Sequence, residues 1–457
     1  MAQASGARGN FAFRMNDSFK SVVTTRQTGV RMGLRKIGLG LVVCLTALWI
    51  ACGDTYRPIV LPQIPTPPTP SSNHSVFIIS NNGDFNPGSG MQIDVSGDTN
   101  VGVQKVGRGP VFATFIPPVP SHIAVANILE DTVTLYGPAN SAFNGGLPLT
   151  VTLPTGSTPV FLNTTENNVV YSANSGNDTV SAIGVVTNSV TNTIALPAGS
   201  KPVSLAEIAN GTKVYVVNQG TNSVQSINVV DKSLNAPLTD PTINVPIWAV
   251  ARADGQRVYV LSQANGDVAV VNTNNDTLIP STVSAGAGAN FMLYDGKLNR
   301  LYITNPTAAT VTILDANPDP PNVLATIHLT GVTPLSVAAL PDGSRAYVAS
   351  LEPVTSSSTA VVTVINTLNN TVKKTITLAA APPQSVCGTI PFRVSIAAGA
   401  DSSRVYVANC DAEGASIIRT SDDTFQFTLP APVSAAAAPP GSTQPPPQNP
   451  IWILAGP

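Results

Sequence analysis

The chain has 457 residues, with 23 Lys and Arg, 25 Asp and Glu and only 3 His; charged residues make up 11% against roughly 25% in an average soluble domain, which excludes a disordered or heavily solvated class. Hydrophobic residues reach 43%, yet the single conspicuous uncharged apolar run, Ile37 to Ala51, spans 15 residues, short of the roughly 20 that a membrane-crossing helix needs. Forty Pro and 35 Gly, among many Val, Thr, Asn and Ser, are the materials of strands and tight turns, so an all-β protein is expected.

The first 51 residues hold seven basic residues (Arg8, Arg14, Lys20, Arg26, Arg31, Arg35, Lys36) and one acid, Asp17, followed by the apolar run and then Cys52. A basic segment, an apolar stretch and a small residue before the cut make an export signal, here ending at residue 51. Ile50-Ala51-Cys52 resembles a bacterial lipobox, with Trp49 where that pattern has Leu. The resemblance implies that Cys52 is lipidated and becomes the mature N-terminus, anchoring the protein outside the cytoplasm at the cell envelope. Met32 begins a signal of ordinary length, so residues 1–31 form a possible upstream extension; an uncleaved single anchor is the alternative and gives the same address. With seven of 23 basic and one of 25 acidic residues in this leader, the rest keeps 16 basic against 24 acidic, a net charge of −8. An acidic body without basic clusters does not suit a phosphate backbone, so no nucleic-acid partner is expected. Residues 52–74 follow as a spacer, in which Pro58, Pro62, Pro65, Pro67, Pro68 and Pro70 preclude continuous sheet pairing and favour a semi-rigid extended segment.

From residue 75 one pattern recurs: a strand ending in an aromatic, Val and a small polar residue, an Asn/Gly-rich turn, and a second strand. Its instances are Val169 to Asn174, Val214 to Asn218, Val258 to Ser262, Leu301 to Asn305, Ala346 to Ser350 and Val405 to Asn409. The tyrosines within them are spaced 44, 44, 43, 45 and 59 residues apart, and two degenerate copies at Phe77 and Ala124 precede them at steps of 47. A period in the forties with four short strands per unit predicts a β-propeller filling residues 75–457, with eight blades favoured and seven possible if one N-terminal unit lies outside the ring. One unit reads as Pro202 to Glu207, Lys213 to Asn218, Ser223 to Val229 and an outer strand near Thr242 to Val245. Tyr302-Ile303-Thr304-Asn305, Thr310 to Asp315 and Ala325-Thr326-Ile327 resemble the YVTN-type β-propeller repeat family over about four fifths of the chain. The resemblance implies fold and leaves function open, surface-layer association being one family-level possibility.

The first unit lacks an innermost strand, and after the Pro-rich residues 439–450 the chain supplies one without a blade: either Ser434 to Ala438 or Ile451 to Ala455 could close the ring, the more apolar Ile451-Trp452-Ile453-Leu454 being preferred.

The recurrent Asn174, Asn218, Asn305 and Asn409 read as turn-closing residues rather than a binding site, and the repeated tyrosines as packing between blades. His74, His122 and His328 share no short ligand spacing, and Asp315, Glu352, Asp401, Asp411 and Glu413 form no loop of regular oxygen spacing, so neither a metal nor another cofactor is expected. No Gly-x-Ser-x-Gly elbow or phosphate-cradling loop occurs. No catalytic residue is assigned, and the expected role is a monomeric, non-catalytic binding or scaffold protein with an unidentified envelope protein or glycan as partner. A lactonase-like hydrolase is the alternative, because propeller lactonases resemble this architecture. Cys387 precedes an innermost strand and Cys410 directly follows its antiparallel neighbour, which places both on one face of one blade and predicts a disulfide; two free buried thiols are the alternative. Two lengthened connections, Leu351 to Ala360 and Ala379 to Phe392, emerge on one side of a propeller, and that face is the expected place for a partner, with functionless loop drift as the alternative.

Overall fold

The computed structural model describes residues 75–116, 122–137, 148–165, 168–281, 283–388, 390, 392–430 and 449–456. The leader, Cys52, the spacer with His74, and the rejected closing candidate Ser434 to Ala438 lie outside the described residues. Eight antiparallel sheets form eight blades. Blade 1 comprises Ser75–Asn81, Pro87–Asp94 and Thr99–Arg108 with Asn449–Ala455 innermost; blade 2 runs over Pro110–Thr152, blade 3 over Pro159–Ala195 and blade 4 over Pro202–Asn228. Blade 5 spans Pro246–Ile279, blade 6 Phe291–His328, blade 7 Thr333–Thr377 and blade 8 Val394–Pro430.

Burial grades across each blade, as radial packing requires. The second strands are almost wholly buried, Lys213–Asn218 and Arg404–Asn409 apart from their first residue, whereas the outer strand Thr371–Thr377 buries only Ile376. The side chains of Tyr171, Tyr215, Tyr259, Tyr302, Tyr347 and Tyr406, one at the centre of each second strand from blade 3 to blade 8, are fully enclosed. Three of these phenols bond an aspartate of the next blade. Tyr215 donates to Asp276, Tyr347 to Asp423 and Tyr406 to Asp98, each aspartate sitting at positive φ in the turn before an outer strand. The same aspartates take a cation placed two residues before the tyrosine: Lys213 at 2.7 Å, Arg345, and Arg404 at 3.2 Å. Burial first, and then the facing carboxylate, pushes these phenols far above their usual range, so they remain donors. Blade 3 has no cation in its own strand, and Lys232 of blade 4 comes across to the Tyr171 hydroxyl at 2.6 Å.

Ring closure uses the preferred segment. Phe77 pairs with Leu454, Ile78 with Ile453 and Ile79 with Trp452, which gives blade 1 its missing innermost strand and removes an open edge. Blade 4 departs from expectation: Thr242 to Val245 is a turn, and the outer position is held only by isolated bridges from Leu234 and Leu238 to Ile227 and Val224. The cause is the connection itself, whose Asn235-Ala236-Pro237 and Asp240-Pro241 steps do not supply consecutive ladder donors.

Candidate functional site

In each blade one residue of the innermost strand pairs with the residue just before the small polar residue near the end of the neighbouring strand. The pairing registers identify it as Phe112, Phe161, Ser204, Trp248, Phe291, Ser336, Ser395 and Trp452 for blades 2 to 8 and 1, five aromatics and three serines. Phe392, in the lengthened connection entering blade 8, adds a sixth ring where blade 8 itself offers only Ser395. These rings form one connected aromatic layer. Phe112 stacks on Phe161 at 4.1 Å, Trp248 stands edgewise to Phe161 at 5.2 Å and tilted to Phe291 at 4.9 Å, and Phe392 bridges Trp452 at 5.2 Å and Phe291 at 5.7 Å. The Trp452 indole N–H donates to the Ala113 carbonyl at 3.1 Å, fixing its ring.

Above this layer lies a cavity of about 600 Å³. Phe112, Phe161, Trp248 and Phe392 line its base, with Val111, Val160, Val203 and Ile247 around them and Asn81, Gln219, Gln263 and Asn290 among the polar groups. Asp84 is the only ionisable side chain in the lining among the described residues. A second cavity of about 640 Å³ opens on the other side, along the far ends of the innermost strands of blades 6, 7, 8 and 1.

The first cavity opens on the face where second-to-third turns and entries to innermost strands emerge, which is the face the lengthened connections select. Ile390 and Phe392, from the longer of them, belong to its lining. Both connections are held by Asp411, whose side chain is completely buried: it accepts from Arg393 Nε at 2.6 Å and Nη2 at 2.7 Å, from Ser358 Oγ at 2.7 Å and from the Gln384 N–H at 2.8 Å. Burial works to raise this carboxyl, but the donors, led by Arg393, outweigh it and leave its pKa below the ordinary value. Beside it, Cys387 and Cys410 stand at disulfide distance, with 2.00 Å between sulfurs and 5.8 Å between Cα atoms. The Asn449 amide donates to the Cys410 carbonyl at 3.1 Å, tying the ring-closing strand to the same corner.

The other residues singled out in the sequence scatter. Asn174 donates to Thr179 and Ser181, Asn218 to Gln225, and Asn305 to three carbonyls at 285–287; Asn409 accepts the Asp411 N–H. All four are buried; Asn305 and Asn409 accept backbone N–H groups of the turns they open, whereas Asn174 and Asn218 bond side chains of the following strand. Asp315 and Asp401 accept backbone N–H groups two residues ahead in their own turns. Glu352 begins the lengthened connection of blade 7, and Glu413 stands at positive φ in the turn after Cys410. His122 begins the second strand of blade 2, where burial lowers its pKa, and His328 ends the exposed outer strand of blade 6. Among the described residues no three His, Cys, Asp or Glu side chains converge as metal ligands would. The aromatic layer is the feature that sequence reasoning missed. Its signal was present in Pro110-Val111-Phe112, Pro159-Val160-Phe161 and Pro246-Ile247-Trp248, a Pro-aliphatic-aromatic triplet whose ring stands 12, 10 and 11 residues before Ala124, Tyr171 and Tyr259.

Neither a family profile nor a curated relative matches the sequence. Solved structures do match in fold. The dihydro-haem d1 dehydrogenase NirN superposes with a TM-score of 0.62 at 12% identity, covering 84% of this chain and 75% of that one. Apo AztD from Citrobacter koseri gives 0.59 at 12% identity, covering 84% and 98%. A putative 6-phosphogluconolactonase from Bacteroides uniformis gives 0.50 at 12% identity over 66% and 95%. These neighbours are β-propellers, and at such identity the likeness speaks for the fold alone.

Proposed function

We propose that this chain is a lipid-anchored, extracytoplasmic β-propeller lipoprotein of the cell envelope that acts by binding, seating its ligand in the axial cavity on the face of the lengthened connections. The observation that carries the reading is the lining itself: an aromatic base and an amide-bearing rim in a cavity of about 600 Å³, with one carboxylate and, among the described residues, no His, Cys, Lys or Arg. A cavity of that size with a few placed polar groups suits retention of a small ligand. Acid-base or nucleophilic turnover needs a second group to work with Asp84, and the lining offers none. The basic, apolar, Ala51-Cys52 order supports the envelope address, and the YVTN-like repeat supports a surface role.

The test uses protein beginning at Cys52, in which Trp248 and Trp452 are the only tryptophans. Envelope extract is passed over immobilised protein and over the Trp248→Ala and Phe392→Ala variants. Capture of a component lost in both variants is expected. Capture indifferent to both would remove the cavity from the reading, and lactone turnover abolished by Asp84→Asn would replace binding with hydrolysis.

A further inference from the structure

We propose that the axial cavity takes an uncharged oligosaccharide, with sugar rings laid against its aromatic base and hydroxyls held by its rim amides. The inference rests on the binding reading above and adds the chemical class of the ligand.

Three observations converge on it. The first is the absence of cationic partners. Among the described residues the lining holds no Lys, Arg or His and one carboxylate at the rim; Arg108, which donates to the Asp84 carbonyl at the mouth, is ion-paired with Glu130 at 2.8 Å, and the net charge after the leader is −8, so a phosphate, sulfate or uronate meets no uncompensated counter-charge and a repulsive field in its path.

The second is the state of the amides. Asn290 is committed to the protein: its Nδ2 donates to the Leu335 carbonyl at 3.2 Å, and its Oδ1 accepts from Thr304 at 2.7 Å. Gln219 and Gln263 are not committed, and among the described residues their side chains meet no protein partner. Asn81 spends its Oδ1 on the Gly83 N–H at 3.0 Å, and among the described residues its amide nitrogen meets no protein partner. An amide presents a donor and an acceptor side by side, and a sugar hydroxyl is both at once, so uncommitted amides above an apolar base match a polyol better than a hydrocarbon. A purely apolar ligand would strip water from Gln219 without replacing its hydrogen bonds.

The third is ring surface. Trp248 is half-buried, lies 70° from Phe112 and 89° from Phe161, and therefore keeps indole surface toward the cavity instead of losing it to a stacked neighbour. Its indole N–H has no partner among the described residues, whereas that of Trp452 is spent on Ala113. At the mouth, next to Asp84, Phe85 is 92% exposed, a second ring for a chain that extends outward. Aromatic rings offer large contact area with little entropy to lose, and the apolar faces of pyranose rings complement them.

The experiment titrates the oxidised chain from Cys52 with cellotetraose, chitotetraose, mannotetraose and galactotetraose, following tryptophan emission and the melting temperature. Tetragalacturonate and tetramethylammonium chloride serve as anionic and cationic probes. At least one neutral tetrasaccharide is expected to shift both readouts, with tetragalacturonate weaker by about tenfold or more. Trp248→Ala should abolish the response. Gln219→Ala with Gln263→Ala, both on surface turns and without structural partners, should weaken it by about tenfold while leaving the unliganded melting temperature unchanged. No response to any neutral sugar at about 10 mM, or equal or tighter binding of either charged probe, overturns the assignment. Capture of a non-sugar envelope component that Trp248→Ala abolishes overturns the sugar alone, whereas insensitivity of every ligand to Trp248→Ala overturns the cavity as well.

Discussion

Replacing Asp411 with alanine is expected to cost about 3–4 kcal/mol of stability and to loosen one wall of the axial cavity. The carboxylate is fully enclosed and receives four hydrogen bonds, two of them a bidentate grip from Arg393. Removing one partner of a buried pair leaves the other charge uncompensated, at about 3–5 kcal/mol. Arg393 keeps 17% of its side-chain surface and can turn partly to water, which lowers that figure. The orphaned Ser358 hydroxyl and Gln384 N–H add about 1 kcal/mol each, bringing the sum back to the stated range. Denaturant unfolding of the oxidised protein reads the loss as a lower midpoint. Asp411→Asn keeps the volume but turns an amide N–H₂ toward Arg393 donors, and should cost nearly as much. The pH dependence has a definite sign. The folded carboxyl titrates below its ordinary value, so its contribution is complete above an unfolded value of about 3.9 and is lost as pH falls through the folded one. The gap between wild type and Asp411→Asn should therefore narrow below about pH 4. Equal midpoints at pH 7, or a gap that widens toward acid, would refute the account.

Tyr347→Phe deletes a phenol that serves the buried Asp423 and should cost about 1.5–3 kcal/mol, while Tyr136→Phe, whose enclosed hydroxyl has no partner among the described residues, should be neutral or slightly stabilising; parallel unfolding curves check the contrast. Deleting residues 449–456 exposes the Phe77 strand edge and should drive the protein into aggregate, seen by size exclusion. Non-reducing peptide mapping of exported protein should recover Cys387 and Cys410 as one linked pair, and replacing both with Ser should cost about 3 kcal/mol for their 23-residue separation. Cys52→Ala should abolish metabolic labelling with a fatty acid, and undiminished labelling would remove the lipid anchor from the proposal.

Blade number was legible because each blade from the third onward buries one tyrosine at the same point of its second strand, so a single residue type kept the period visible through drifting loops. The closing strand was legible for the same reason, since Ile451 to Leu454 is an apolar run with no blade of its own. The cysteine placement followed from strand order alone, and the structure places the two sulfurs together. Blade 4 was misread because its outer position is held by two isolated bridges, which carry no alternation for a pattern to reveal. The axial cavity was hidden for a different reason. The six rings of the aromatic layer beneath it come from five blades and one insertion, and only closure of the ring makes neighbours of Phe112 and Trp452. The latch aspartates were missed because Asp98, Asp276 and Asp423 look like ordinary turn residues until the next blade is set beside them.

The pairing of Phe77 with Leu454 also governs when the protein can fold. The seam between blades 8 and 1 depends on contacts such as Tyr406 with Asp98, 308 residues apart, and Trp452 with Ala113, 339 residues apart. Such distant contacts repay their loop-closure entropy last, so folding should be slow and the first blade should wait, edge exposed, for a strand near the other end of the chain. Under the export proposed above, a chain still open at that stage would need no prior unfolding to pass an export channel.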